Sequence, residues 1–414
     1  MIVDLIKGKM NAILDLHRDL HRDMARKLRA AELFLSIGLA ASLFTACTTP
    51  ESGEGLATVE QAESRSEGGE GGEGAAANES LQWANTFDSD EVISEFTNKV
   101  VVPKYEQYAS YTADLAQAID TFVAAPTEES LNAAREAWTA ARISWEQTET
   151  FAFGPAGSLG FDGAMDSWPV NQTDIEKILA GDEPLTEESV AQLQDTERGM
   201  HSIEYILFGT DASKQVSDFT ERERQYLQAL GQDLNTSADA LLASWTEGIE
   251  GQPAYETVFA SAGSADNQIY PTTAAAGQEL VSGIIDSLTE VGKEKLEAPF
   301  QEQNPVGLES RFSAQTINDL KSNLQSAENG YLGRFPEAGT TADASISTYV
   351  AERDPALDEK VREQFAAADS ALNAVPTPLE ASLTDEAAAD EIEQAIAAIL
   401  QVKSTIENEV VPLI

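Results

Sequence analysis

The sequence predicts an all-α protein, and three observations carry that prediction. From Phe87 onward, long stretches are rich in Ala, Leu, Glu and Gln; apolar residues recur three and four apart; and no alternating β-branched run of any length interrupts them. The expected architecture is two packed helical-bundle halves, preceded by a signal peptide and a flexible tether. The chain has 414 residues, 26 basic and 71 acidic side chains and 42 % hydrophobic residues, enough for a sizeable core or two domains. A formal net charge of −45 excludes the electrostatic route to nucleic acid or to an anionic membrane surface, which needs a basic patch, and favours cations as partners.

Residues 1–47 read as an extended N-terminus and a lipoprotein signal peptide. The apolar run Leu33 to Phe44 is too short for the roughly 20 residues that span hydrocarbon. Arg26, Lys27 and Arg29 precede it, and Thr45-Ala46 close it before Cys47, the layout of a bacterial secretory leader. Leu43-Phe44-Thr45-Ala46-Cys47 resembles a lipobox, so Cys47, the lone cysteine, is the expected lipidation site. A buried free cysteine is the plainer alternative. Met24 starts a complete leader by itself, whereas Met1 to Asp23 carries alternating charges foreign to such segments. Residues 48–85 hold Gly, Glu, Ser and Ala with almost nothing apolar and are expected to be a flexible tether. Loss of residues 1–47 would leave 19 basic and 66 acidic groups and one histidine, His201.

The expected N-terminal bundle covers 86–250. Its first helix runs from about Ser89 to Ala124, with Val92, Phe96, Val100, Tyr105, Tyr108, Leu115, Ile119 and Phe122 inward and a kink at Pro103. The second follows Pro126-Thr127 and runs to about Thr150, with Leu131, Ala134, Trp138, Ala141 and Trp145 on its apolar face. A Gly/Pro-punctuated loop, Phe153 to Pro169, has the length of a functional loop. Short helices near 174–179 and 187–193, a helix beginning near Gly199 and a long one over 220–249 complete this half. The C-terminal bundle, 251–414, is expected to hold helices near 272–297, 314–328, 342–350, 355–374 and 385–409. The Pro-Thr pairs at 126 and 376 hint at an ancient duplication.

Gly199-Met200-His201-Ser202-Ile203-Glu204 is the most specific motif. His201 and Glu204, three apart on a helix, share a face and can bind one cation together. Such pairs also occur as ordinary surface polar groups, but the apolar run after His201 indicates a buried helix, where both groups need partners. Arg142, Glu146 and Glu149 repeat at four and three residues on the second helix, and Asp162 and Asp166 lie in the loop after it. A solvated helix face and turn chemistry are the plainer readings of these two sets. One imidazole with oxygen ligands suits iron, manganese or zinc and argues against copper(I). The chain lacks His-Glu-x-x-His, Gly-x-Ser-x-Gly, phosphate loops and dinucleotide fingerprints.

Ala141-Arg142, Trp145, Thr148-Glu149-Thr150-Phe151-Ala152-Phe153-Gly154, Asp166-Ser167-Trp168-Pro169 and Gly199 to Gly209 resemble successive signatures of the imelysin family. Glu309-Ser310-Arg311-Phe312-Ser313, Thr316, Asp319-Leu320 and Tyr331-Leu332-Gly333 resemble its second-half signature. The resemblance implies a two-domain helical fold, export to the bacterial envelope, and a Gly-x-His-x-x-Glu motif near an interdomain pocket. Family members are described as insulin-cleaving metallopeptidases or as iron-regulated and iron-uptake proteins. Carried over, it implies His201, Glu204, Glu149 and Asp166 as metal residues, with Arg142, Trp145, Glu309 and Ser313 lining the pocket. Glu146 joins that pocket on helix spacing alone. The expected function is a lipid-anchored envelope protein that binds a metal ion, iron foremost and zinc second, in iron uptake or homeostasis, with an iron-transport protein as partner. The alternatives are a metallopeptidase, and a binder of a small organic anion clamped by Arg142.

Overall fold

The computed structural model describes residues 81–414. Cys47, the leader, the Met24 start and residues 48–80 of the expected tether lie outside the described residues. Helices dominate from Asp90 to the C-terminus, as the periodicity predicts, and the strands present are the two-residue β1 (Arg334–Phe335) and β2 (Thr340–Thr341). These pair antiparallel, with Arg334 opposite Thr341 and Phe335 opposite Thr340. Two residues per strand leave no period for a sequence pattern to show. Among the described residues no helix is long and apolar enough to cross a membrane.

The first expected helix is continuous from Asp90 to Ala124, its two α-helical stretches, α1 (Asp90–Phe96) and α2 (Val102–Ala124), running into each other through a π-helical turn, Thr97–Val101. Pro103 follows this widened turn directly, which makes room in mid-helix for a residue that lacks an N–H. The inward residues Phe96, Tyr105, Tyr108, Leu115, Ile119 and Phe122 are all buried. Thr127 caps α3 (Glu128–Glu146) in a reciprocal capping box with Ser130. The helix stops four residues short of the expected Thr150, and Glu149–Phe151 form a separate 3-10 turn. Trp138 secures the core side of α3 by donating its Nε1–H to Met200 O at 2.9 Å.

Further along the chain come α4 (Phe161–Asp166), α5 (Gly199–Phe208) and α6 (Glu221–Thr246), the last packing against α2. Beyond residue 251 lie α7 (Thr273–Thr289), α8 (Thr316–Leu332), α9 (Pro355–Ala374) and α10 (Ala389–Thr405). The expected helix over 272–297 is α7 followed by a π-helical segment, Glu290–Glu297. Thr86 and Phe87 donate backbone N–H groups to Ile414 O at 2.9 and 3.0 Å, so the first described residues are tied to the C-terminus.

α7 and α8 press on the 3-10 turn after α3. Thr150 N–H donates to Ser326 Oγ at 3.1 Å, and that hydroxyl donates to Gln147 O at 2.9 Å. The close approach depends on small residues: a Cβ on Gly283 would lie 2.0 Å from Thr150 O, and one on Gly330 2.6 Å from the Thr150 methyl. Gly283→Ala should therefore cost about 1–3 kcal/mol through overpacking against backbone, despite Ala's better helix propensity, as read by urea denaturation.

Candidate metal centre

Three elements of the N-terminal part set the centre. Gly199 opens α5 at φ +77°, a conformation that glycine adopts without cost, and a Cβ there would stand 2.4 Å from Met165 O. Only glycine lets α5 start against the end of α4, and this contact brings His201 beside Asp166. Arg198 reinforces the junction by donating from Nε to Ala164 O at 3.2 Å. Asp166 ends α4 and is held from α3: Trp145 Nε1 donates to its Oδ2 at 2.7 Å, and Arg142 donates to its Oδ1.

Arg142 is 1 % exposed and meets four carboxylates. Besides Asp166 it faces Glu146 at 2.5 Å, Glu309 at 2.8 Å and Asp319 at 3.6 Å. A second buried cation, Lys295 from the π-helical segment, lies 3.1 Å from Glu309, 3.6 Å from Glu146 and 3.7 Å from Glu149. Glu309 Oε1 thus sits between Arg142 and Lys295, while both its oxygens lack hydrogen bonds of good geometry. Asn323 of α8 donates to Glu146 Oε2 at 2.6 Å.

The two nitrogens of His201 have different surroundings. Nδ1 lies 3.1 Å from Glu204 Oε2, and Glu204 Oε1 accepts from both the backbone N–H and the hydroxyl of Ser313 at 2.8 Å. Glu204 is therefore fully engaged as the group that orients the ring. Nε2 points the other way, 3.3 Å from Asp166 Oδ1 and 4.0 Å from Glu309 Oε1. One donor atom each from Asp166, His201 and Glu309 lies within 4.8 Å of the others.

The same charges sort the carboxyl groups. Burial works to raise Asp166, but Arg142 and the His201 hydrogen bond hold it well below the usual carboxylate range. Burial likewise opposes ionisation of Glu309, and Lys295 and Arg142 overcome it. Glu146 is driven well up by burial despite Arg142 and Lys295, and burial pushes Asp319 up to about 7. Burial with the Glu290 charge raises Glu149, and burial with the Glu149 charge raises Asp162. Burial and Arg142 push His201 down, yet its hydrogen bonds to Asp166 and Glu204 bring it to about 10.

The structure places the sequence-singled residues unequally about this point. Asp166, His201 and Glu309 converge; Glu204 and Ser313 stand behind the ring; Arg142 and Trp145 hold Asp166, and Glu146 pairs with Arg142. Glu149 does not share the α3 face of Arg142 and Glu146, because α3 has ended, and it reaches Lys295 from the 3-10 turn. Lys295 has no counterpart in the sequence reading. Its Lys/Glu-rich run reads as a solvated face, and only the π-helical register turns it inward. Asp319 is visible in the second-half signature, with no role assigned to it there.

Fold and site together define an all-helical protein with a buried carboxylate–imidazole centre assembled from both parts of the chain. A family model described as imelysin matches residues 101–406, and the chain belongs to the imelysin family. It is similar to Iron-regulated protein A of Synechococcus elongatus, 39 % identical over 326 residues that cover 79 % of this chain and 87 % of that protein. Two crystal structures share the fold. One, from Parabacteroides distasonis, is described as an iron-regulated protein A precursor and has a TM-score of 0.69 at 23 % identity, covering 80 % of this chain and 97 % of its own. The other, an imelysin-like protein from Psychrobacter arcticum, has a TM-score of 0.62 at 15 % identity and covers 78 % and 95 %.

Arg142→Leu would leave several buried carboxylates without their shared cation. A loss of about 3–5 kcal/mol is expected in urea denaturation, whereas Lys177→Ala, at the exposed pair with Asp174, should change stability by about 0.5 kcal/mol or less.

Proposed function

We propose that this chain is an exported, lipid-anchored envelope protein that holds one metal ion, iron foremost, through Asp166, His201 and Glu309, and that it serves iron uptake or homeostasis. The observation that carries this reading is the convergence of three buried donor atoms within 4.8 Å, with the second imidazole nitrogen already engaged by Glu204. The residues fit a metal on chemical grounds. Two of the three donors are the carboxylates that Arg142 and Lys295 keep ionised, and the imidazole is oriented by an acceptor on its far nitrogen. One nitrogen with oxygen donors suits iron, with manganese or zinc as competitors. Glu146 and Asp319, inclined to hold protons, moderate the negative charge next to the donors. Kinship with Iron-regulated protein A supports iron, and the leader ending at Cys47 supports export and anchoring.

The burial of the centre favours holding an ion over cleaving an extended peptide, since the three donor residues are all but inaccessible. Arg142 as clamp for an organic anion is disfavoured as well, because such a ligand would have to displace one of four carboxylates.

Elemental analysis of the protein purified from its native envelope should find one equivalent of iron, lost in His201→Ala. No metal in either protein would refute the proposal. Because metal-free His201 titrates near 10, it is protonated at neutral pH and must release a proton to offer Nε2. Affinity should accordingly rise about tenfold per pH unit from pH 6 to 8. Calorimetry in buffers of different ionisation enthalpy should register about one proton released per ion bound.

A further inference from the structure

Lys295 stands where four carboxylates converge. Its Nζ lies 3.1 Å from Glu309, 3.6 Å from Glu146, 3.7 Å from Glu149 and 3.9 Å from Glu290, and the side chain is 1 % exposed. Hydrogen bonds in a π-helix join residues five apart, so the Glu290–Glu297 segment brings Glu290 and Lys295 to one face, where an α-helix would rotate them apart. Glu146 ends α3, Glu149 opens the turn after it, and Glu309 precedes α8. Nζ makes no hydrogen bond of good geometry within this cage. It is held as a compact point charge, unlike the forked guanidinium of Arg142, and so takes the place that a bare cation would take.

The cage adjoins the metal centre through a single atom. Glu309 Oε1 is 3.1 Å from Lys295 Nζ and 4.0 Å from His201 Nε2. A carboxylate that serves two neighbouring cation positions is the bridging ligand of two-metal sites, whose ions lie about 3.5–4 Å apart. The cage is also open to supply from solvent. Glu149 and Glu290 keep 19 % of their side-chain surface exposed, whereas Glu146 and Glu309 keep none. Four carboxylates without an ammonium among them would suit the same oxygen-seeking ions as the Asp166–His201–Glu309 set.

We propose that Lys295 is a selectivity residue that limits the centre to one metal ion, its ammonium occupying the second cation position of a carboxylate cage bridged by Glu309. The inference deepens the metal reading and rests on it. Like charges at contact distance repel, so a second ion cannot settle beside the ammonium.

The test titrates metal-free, full-length protein with manganese(II), which is also a spin probe. Bound metal is counted by elemental analysis after desalting, and electron paramagnetic resonance reads whether the ions are coupled. Wild type should hold one equivalent with the signal of an isolated ion. Lys295→Ala should hold two with the exchange-coupled signal of a pair, its second ion bound about tenfold or more tightly than any second ion on wild type. A purely structural role would lower the melting temperature and leave the count at one. Circular dichroism checks folding, and Lys295→Gln, which keeps the stem and ends in an oxygen, replaces Lys295→Ala if that variant does not fold. One uncoupled ion on the folded variant would overturn the inference and leave the metal reading standing, as would a coupled pair on wild type. No ion on either protein would overturn both.

Discussion

The arrangement of the molecule hangs on one buried guanidinium. Arg142 projects from α3 and meets carboxylates from four places in the chain: Glu146 one turn on, Asp166 at the end of α4, Glu309 before α8 and Asp319 within it. An arginine stays charged at any working pH, and its planar fork can serve several acceptors at once. Taking it out of water is costly, so the partners must be present and correctly placed. That requirement explains why α4, which is only six residues long, is pinned by Trp145 as well, and why Gly199 must admit α5 to the same junction.

A buried cluster with more carboxylates than cations could not exist with every acid ionised. The protein divides the acids, and contact with a cation does not decide the division by itself, since Glu146 meets Arg142 at 2.5 Å and is still driven up by burial. Asp166 and Glu309, in contact with Arg142 or Lys295 and near His201, are held ionised; Glu146, Asp319, Glu149 and Asp162 are shifted toward the protonated form by burial and by one another. The ionised pair is also the pair that converges with His201 Nε2. Charge sorting and donor geometry thus select the same residues, although the first follows from burial and Coulomb interactions and the second from backbone placement.

Much of the fold was legible because long amphipathic helices announce themselves at a period of 3.6. The helices over 221–246, 316–332 and 355–374 lie close to where the pattern puts them. Legibility fails where the period changes. The π-helical turns at 97–101 and 290–297 rotate every later side chain relative to a regular helix, which hides Lys295. The early end of α3 is a tertiary effect, since the turn after it bonds to Ser326, 176 residues away. In the site, the Gly-x-His-x-x-Glu spacing points to His201 and Glu204 alike. It cannot tell which of the two faces Asp166 and which is bound from behind, because that depends on Ser313, more than a hundred residues distant.

The Ser313–Glu204–His201 chain shows how the C-terminal part can govern a motif lying wholly in the N-terminal part. Glu204 Oε1 is held twice by one residue, through N–H and hydroxyl, so the carboxylate can neither rotate nor drift from Nδ1. With an anion fixed on Nδ1, a neutral imidazole keeps its proton there and directs the Nε2 lone pair toward Asp166 and Glu309. Were Glu204 itself a ligand, the ring would lose this acceptor and both tautomers would compete. Glutamate three residues after histidine is thus placed to aim the ring, because the helix puts both groups on one face while the fold puts Asp166 and Glu309 on the opposite edge of the imidazole.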